Sequence, residues 1–106
     1  MTYTWEVTGI KTSDIGDLQN AVIQTYWTKK GTDENGRMGS FDGATPIDPE
    51  TLDPQNFIQY DQLTEEIVLG WIQSYIDETY ERHINEQIQK QIDNLTIKQP
   101  PLPWTL

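Results

Sequence analysis

Few side chains in this sequence are of the types that chemistry needs, and none stands in a spacing that specifies a reaction. His83 is the single histidine. To act as a general acid or base it needs a carboxylate or nucleophile held beside it. Its neighbours Glu81, Arg82, Asn85 and Glu86 read instead as an exposed helical face, and a lone histidine without cysteine makes no zinc site. Asp33-Glu34-Asn35-Gly36 resembles part of a calcium loop. With Gly36 at the sixth position of an EF-hand, Gly31 falls at the first and Asp42 at the twelfth, where Asp and Glu are required. A hairpin turn accounts for these residues better.

The acids between 48 and 66 could hold magnesium or calcium, or form an acid–base pair. Nothing fixes their spacing, and five of them stand beside prolines or at a helix start. Trp5, Trp27, Trp71 and Trp104, with five tyrosines, could stack a ligand, but strand and helix faces are where core aromatics also lie. The absence of cysteine removes thiolate zinc sites, iron–sulfur clusters and cysteine nucleophiles, and it fits a reducing compartment. No nucleophile–base pairing and no phosphate-cradling glycine loop is present. The expectation is a non-enzymatic protein with no catalytic, cofactor or metal site.

Charge narrows the partners. The formal charge of −10 is unevenly placed: residues 47–80 hold eight acids and no base. Phosphate neutralisation needs lysine and arginine, so direct nucleic-acid binding is not expected, and anionic membranes are disfavoured for the same reason. The plain reading of the acids is a solvated face that serves solubility and steering. A sharper one is a surface that meets a basic partner or imitates DNA. The start of the chain shows neither a basic segment nor an apolar one, and no apolar run is longer than three residues, as in Ile67-Val68-Leu69. Neither a secretory signal nor a membrane span is expected.

With 106 residues, one domain is expected. Residues 3–10 alternate, with Tyr3, Trp5 and Val7 against Thr4, Glu6 and Thr8, as in a half-buried strand. Ser13-Asp14-Ile15-Gly16-Asp17 supplies turn chemistry, and residues 20–30 are rich in β-branched and aromatic side chains, a second strand. Asn35-Gly36 supplies the positive φ angles of a tight hairpin before a third strand from Arg37 to Thr45. The fold class is therefore α+β: a three-stranded antiparallel meander over 1–46, a proline-bearing loop over 47–63, a helical region over 64–95 and an extended proline-rich tail over 96–106. Phe57, Ile58 and Tyr60 are expected to pin the loop, with at most a turn of helix after Pro54.

Thr64 reads as an N-cap, Glu65 and Glu66 fill the first turn, and Leu63 with Val68 forms a hydrophobic staple. No proline follows until Pro100. At 100° per residue, Ile67, Val68, Trp71, Ile72, Tyr75 and Ile76 centre on one side, whereas Ile84, Ile88, Ile92 and Leu95 centre about half a turn away. One straight helix cannot bury both stripes against one sheet. Thirty-one residues would also span about 46 Å, more than the roughly 30–35 Å of a compact domain. Either the helix breaks near Asp77–Tyr80 and folds back, or its second half buries its isoleucines against another chain. Residues 77–80 carry no strong breaker, so the second reading is preferred. It makes the protein a homo-oligomer with Ile84, Ile88, Ile92, Leu95 and Trp104 as candidate interface. Pro100-Pro101-Leu102-Pro103-Trp104 reads as a polyproline-like tail whose tryptophan docks on its own domain or a sister subunit rather than on an SH3-like partner.

Several stretches together carry a resemblance: Tyr26-Trp27-Thr28-Lys29 leading to Gly31-Thr32-Asp33-Glu34-Asn35-Gly36, Gly39-Ser40-Phe41 with Gly43-Ala44-Thr45-Pro46, Leu63-Thr64-Glu65-Glu66-Ile67-Val68-Leu69-Gly70-Trp71-Ile72, His83-Ile84-Asn85 and Leu102-Pro103-Trp104. The chain resembles a family of small uncharacterised proteins encoded by tailed bacteriophages, including phages of marine cyanobacteria. Pro46-Ile47 stands where Pro-Phe is more usual in that family, a difference of packing. The resemblance implies a viral origin and a place in the host cytoplasm or the virion, and brings no activity or functional residue. The expected function is a minor virion or assembly component, or an accessory factor, working through contacts with phage or host proteins. The alternative is an acidic inhibitor that imitates DNA before a host nucleic-acid-binding protein.

Overall fold

A computed structural model describes residues 1–48, 57–95 and 99–105. Three strands, β1 (Thr2–Ile15), β2 (Leu18–Thr32) and β3 (Met38–Pro46), form an antiparallel sheet in the order β1-β2-β3. Two helices follow, α1 (Glu65–Tyr75) and α2 (Glu78–Asn94). The α+β arrangement is the one that the alternation and the capping signals predict. Single 3-10 turns occupy Tyr60–Gln62 and Pro103–Thr105. Pro49 and Pro54, and most of the proline-bearing loop before Phe57, lie outside the described residues.

The first hairpin is longer than its alternation suggests. Its turn shrinks to Gly16-Asp17, with Gly16 at φ +57°, and pairing survives three register shifts between Val7 and Ile15. Such bulges absorb an unpaired residue and increase the local twist. β3 pairs only with Gln24–Thr32, so the β1–β2 arm runs on beyond it. A 15-residue strand is about 50 Å long at 3.3 Å per residue. The molecule accordingly measures 70 × 28 × 24 Å, with a radius of gyration of 19.1 Å, not the roughly 13 Å of a compact chain this size. The compact dimensions assumed for the helix argument therefore do not hold.

The second hairpin follows its turn chemistry. Gly36 takes φ +78°, which glycine adopts without a Cβ clash, and the Asp33 Oδ1 atom accepts from the backbone N–H groups of Asn35 (2.9 Å) and Arg37 (2.8 Å). Asp33 Oδ2 takes the Arg37 Nε–H at 2.7 Å. Partial desolvation pushes this carboxyl up, but the hydrogen bonds and the charge of Arg37 outweigh it and hold it below 3.8.

The helical region breaks at Ile76-Asp77, both extended, and Asp77 caps α2 by accepting the Tyr80 N–H at 2.7 Å. The break turns the second isoleucine stripe back onto the sheet. Ile84, Ile88 and Ile92 are each fully buried in one cluster with Trp27, Val68 and Ile72. The preferred expectation that these isoleucines meet a sister chain is corrected: they are the core of their own subunit, and the geometric ground for a homo-oligomer goes with them. Leu95, at the end of α2, stays 60 % exposed. Trp104 is 78 % exposed and not docked on its own domain. The missed signal was Asp77 itself, a good N-cap followed by Glu78 and Glu81 in the first turn.

Glycines bring α2 close. Gly31 and Gly39 face each other across β2 and β3, and Ile88 sits in the dip they leave. A Cβ on Gly39 would lie 2.6 Å from the Ile88 carbonyl oxygen. Each sheet edge also receives one helix side chain. The Gln91 amide accepts from Ser40 N–H at 2.9 Å and donates to Ser40 C=O at 2.6 Å, and Glu65 accepts the Val7 N–H at 3.3 Å. Plugs of this kind blunt an edge against pairing with another chain.

Candidate functional site

The helix break leaves a groove between α1, α2 and the end of β3. Ala44, Pro46 and Ile47 form its sheet side, and Tyr75, Ile76 and Tyr80 its helical side. Its volume is about 720 Å³ and it is open to solvent. Each wall has a local cause. The break exposes Tyr75 at the end of α1, and Tyr80 projects from the first turn of α2, so the two rings are 47 % and 37 % exposed. Tyr75 Oη accepts the backbone N–H of Asp48 at 3.3 Å, which ties the chain leaving β3 to α1. The lining is apolar apart from these hydroxyls, Thr45 and Asp48.

Behind the groove the aromatic residues form a connected series. Trp5 and Trp27 lie 5.2 Å apart, Trp27 and Phe41 5.9 Å, and Phe41 meets Tyr80 edge-on at 6.3 Å. Trp27 Nε1–H donates to Thr45 Oγ1 at 3.0 Å, so its one polar atom is satisfied in the core. His83 lies edge-on to Phe41 at 5.9 Å and stacks with Tyr80 at 6.5 Å. Among the described residues its contacts are with these two rings.

Lys29 is buried, against the expectation for its residue type. Its side chain is 2 % exposed, Nζ donates to Asn85 Oδ1 at 2.7 Å, and Glu81 Oε1 is 3.6 Å away. The ammonium lies over the Tyr3 ring at 4.3 Å and the Trp5 ring at 4.8 Å. A buried cation needs such partners, because desolvating an unpaired one costs several kcal/mol. The signal was available: Lys29 lies two residues from Trp27 on the same face of β2, directly opposite Trp5 and Phe41 in register.

The other candidates take structural roles. Asp33 is committed to its turn by Asn35 and Arg37. Of the acids between 48 and 66, Glu65 plugs β1 and Asp61 lies in a 3-10 turn, while Glu50 and Asp53 fall outside the described residues. Among the described residues no three His, Asp or Glu side chains come together as a metal site. No helix there is long and apolar enough to cross a membrane.

Residues 1–104 match the model of a family described as a domain of unknown function, DUF7936. The chain belongs to DUF7936. Neither a curated protein nor a solved structure matches it. The family description assigns no activity, so what this DUF7936 chain can do has to be read from its own surfaces. Of the candidate interface residues, three lie inside the DUF7936 core, and Leu95 and Trp104 remain on its surface.

Proposed function

We propose that this DUF7936 domain is a non-enzymatic protein that acts through protein–protein contacts. In the setting its resemblance implies, it is a minor virion or assembly component of a tailed bacteriophage, or an accessory factor in the infected cell. The groove carries this reading. Concave apolar sites with a few placed hydroxyls suit binding, and this one combines two half-exposed tyrosines with Ile47 and Ile76 on its two sides. Affinity purification from infected cells, with mass spectrometry of purified virions, tests it. The wild-type chain should retain a partner that a Tyr75→Ala/Tyr80→Ala variant, shown by circular dichroism to be folded, does not. Equal retention by both would remove the groove from the reading.

The outer faces of the helices favour a second reading. Glu66, Glu78 and Glu86 are exposed and make none of the sheet contacts described above, against Arg82 and Lys90 as the bases of α1 and α2. An acidic inhibitor that imitates DNA would use this layer. Its captured partner should then be released by competing duplex DNA, and a partner indifferent to DNA would rule it out.

A further inference from the structure

We infer that the groove at the helix break receives the proline-rich tail of a second copy of this chain, in a reciprocal exchange between two copies. The inference rests on the reading of the groove as a protein-contact site and names its occupant. Three observations carry it. The first is chemical fit. In Pro100-Pro101-Leu102-Pro103-Trp104 three prolines fix φ, and the segment ends in the 3-10 turn at Pro103–Thr105, so little entropy is lost on docking. Grooves lined by aromatic rings are what such segments dock into, and Tyr75 and Tyr80 supply the rings. Trp104 leaves 78 % of its surface in water on its own chain.

The second is geometry. The groove lies at the start of α2, and the tail leaves from its end, about 25 Å away for 17 residues. From Leu95 to Trp104 the chain reaches about 30 Å when fully extended, which leaves little length for the reversal that docking on its own groove demands. A neighbouring copy presents no such reversal. The third is charge. Two chains of −10 repel, yet residues 96–106 contain one base, Lys98, and no acid. The groove is flanked by Asp48, Asp77 and Glu78. The tail is thus the segment best able to approach another copy at this place. One tail buries only a few hundred Å², below the roughly 800 Å² per partner of a stable complex, so two exchanged tails are needed to close a dimer.

Light scattering with a molar-mass readout across the micromolar range tests the inference on the full chain. The wild type should rise towards twice 12.3 kDa with concentration. Trp104→Ala and the Tyr75→Ala/Tyr80→Ala variant should each stay at the single-copy mass, with Trp104→Phe recovering part of the association. A mixture of the tail and groove variants restores only one of the two contacts and should also stay at the single-copy mass. A wild type that remains a single copy overturns the inference, and so does association that survives Trp104→Ala. If Trp104 is shielded from acrylamide in a single-copy chain, the tail has docked on its own groove and the exchange is excluded. Should the wild type be a single copy while a captured partner is still lost from the groove variant, the exchange fails and the groove keeps its role. Should capture also ignore the groove, both fail.

Discussion

Lys29 and Lys30 are neighbours in one strand, and the two faces of the sheet treat them in opposite ways. Lys29 points towards the helices, 2 % exposed, with Asn85, Glu81 and the rings of Tyr3 and Trp5 around its ammonium. Lys30 points to the open back of the sheet, 47 % exposed, with Glu6 at 4.0 Å as its ion pair. The side-chain type is the same, and the face decides the role. On the covered face a charge must be partnered on every side, so Lys29 links β2, β1 and α2. On the open face water does that work, and the cross-strand pairs, Thr28 with Asp42 and Lys11 over Tyr26, are local.

The comparison is broken most directly by removing the buried cation. Lys29→Ala deletes the stem, leaves a cavity and strands the Asn85 carbonyl, and should cost about 3 kcal/mol in urea denaturation. Lys29→Met keeps the volume and removes the charge. It should cost about 1 kcal/mol, because a buried ion pair replaced by an apolar side chain of similar size often changes stability little. Equal losses in the two variants would show that charge, not filling, holds the layers together.

Glycines sharpen the contrast. A Cβ on Gly43 would lie 2.2 Å from Trp27 Cζ2, a ring fixed between Val7, Gly43 and the helices. Gly43→Ala should cost about 2 kcal/mol as overpacking. On the back face a Cβ on Gly9 lies 3.2 Å from Tyr26 Cδ2, and that ring can tilt into solvent. Gly9→Ala should cost under about 1 kcal/mol, and calorimetric melting of both variants checks the order.

These contrasts also mark what could be read from the residues. Period-two alternation at Tyr3, Trp5 and Val7, the Asn35-Gly36 turn and the Thr64 cap, which accepts the Ile67 N–H at 3.2 Å, are local signals and appear as elements. Lys29 was passed over because its residue type argues for the surface and only its place in the register argues against it. The break at Asp77 was missed because an N-cap aspartate looks like any other acid on a polar helix. The groove is built from β3, the chain after it and both sides of the break, so no contiguous stretch announces it. The 70 Å length was hidden because bulges let a hairpin run past its apparent turn.

The break offers the next test of how the covered face is assembled. Asp77→Ala removes the acceptor for the Tyr80 N–H, and loss of such a cap costs about 1 kcal/mol. Helix content by circular dichroism should hardly change, because Ile84, Ile88 and Ile92 keep α2 on the sheet. A rise in helix content would mean that α1 and α2 fuse once the cap is gone.

A smaller effect belongs to the turn that joins β2 to β3. The Asp33 carboxyl is held below 3.8 in the folded chain. A lowered folded value means that the group contributes stability above its unfolded value, near 3.8, and loses it as pH falls through the lower folded value. Arg37→Ala should move the Asp33 midpoint, followed by carbon NMR, back up towards 3.8. A midpoint unmoved by the substitution would show that the backbone N–H groups alone hold the carboxylate.

Least of all should change when Lys30 becomes alanine. Its partner Glu6 is 59 % exposed, the separation is at the limit of an ion pair, and exposed pairs of this kind contribute about 0.2–1 kcal/mol at most. Lys30→Ala should lower the unfolding free energy from urea denaturation by less than about 0.5 kcal/mol, and added salt should erase even that by screening. Salt should leave the Lys29→Ala deficit in place, because a group desolvated on all sides is screened little. A salt-insensitive loss at Lys30 comparable to that at Lys29 would mean that the back of the sheet is covered after all, by another copy or another part of the chain.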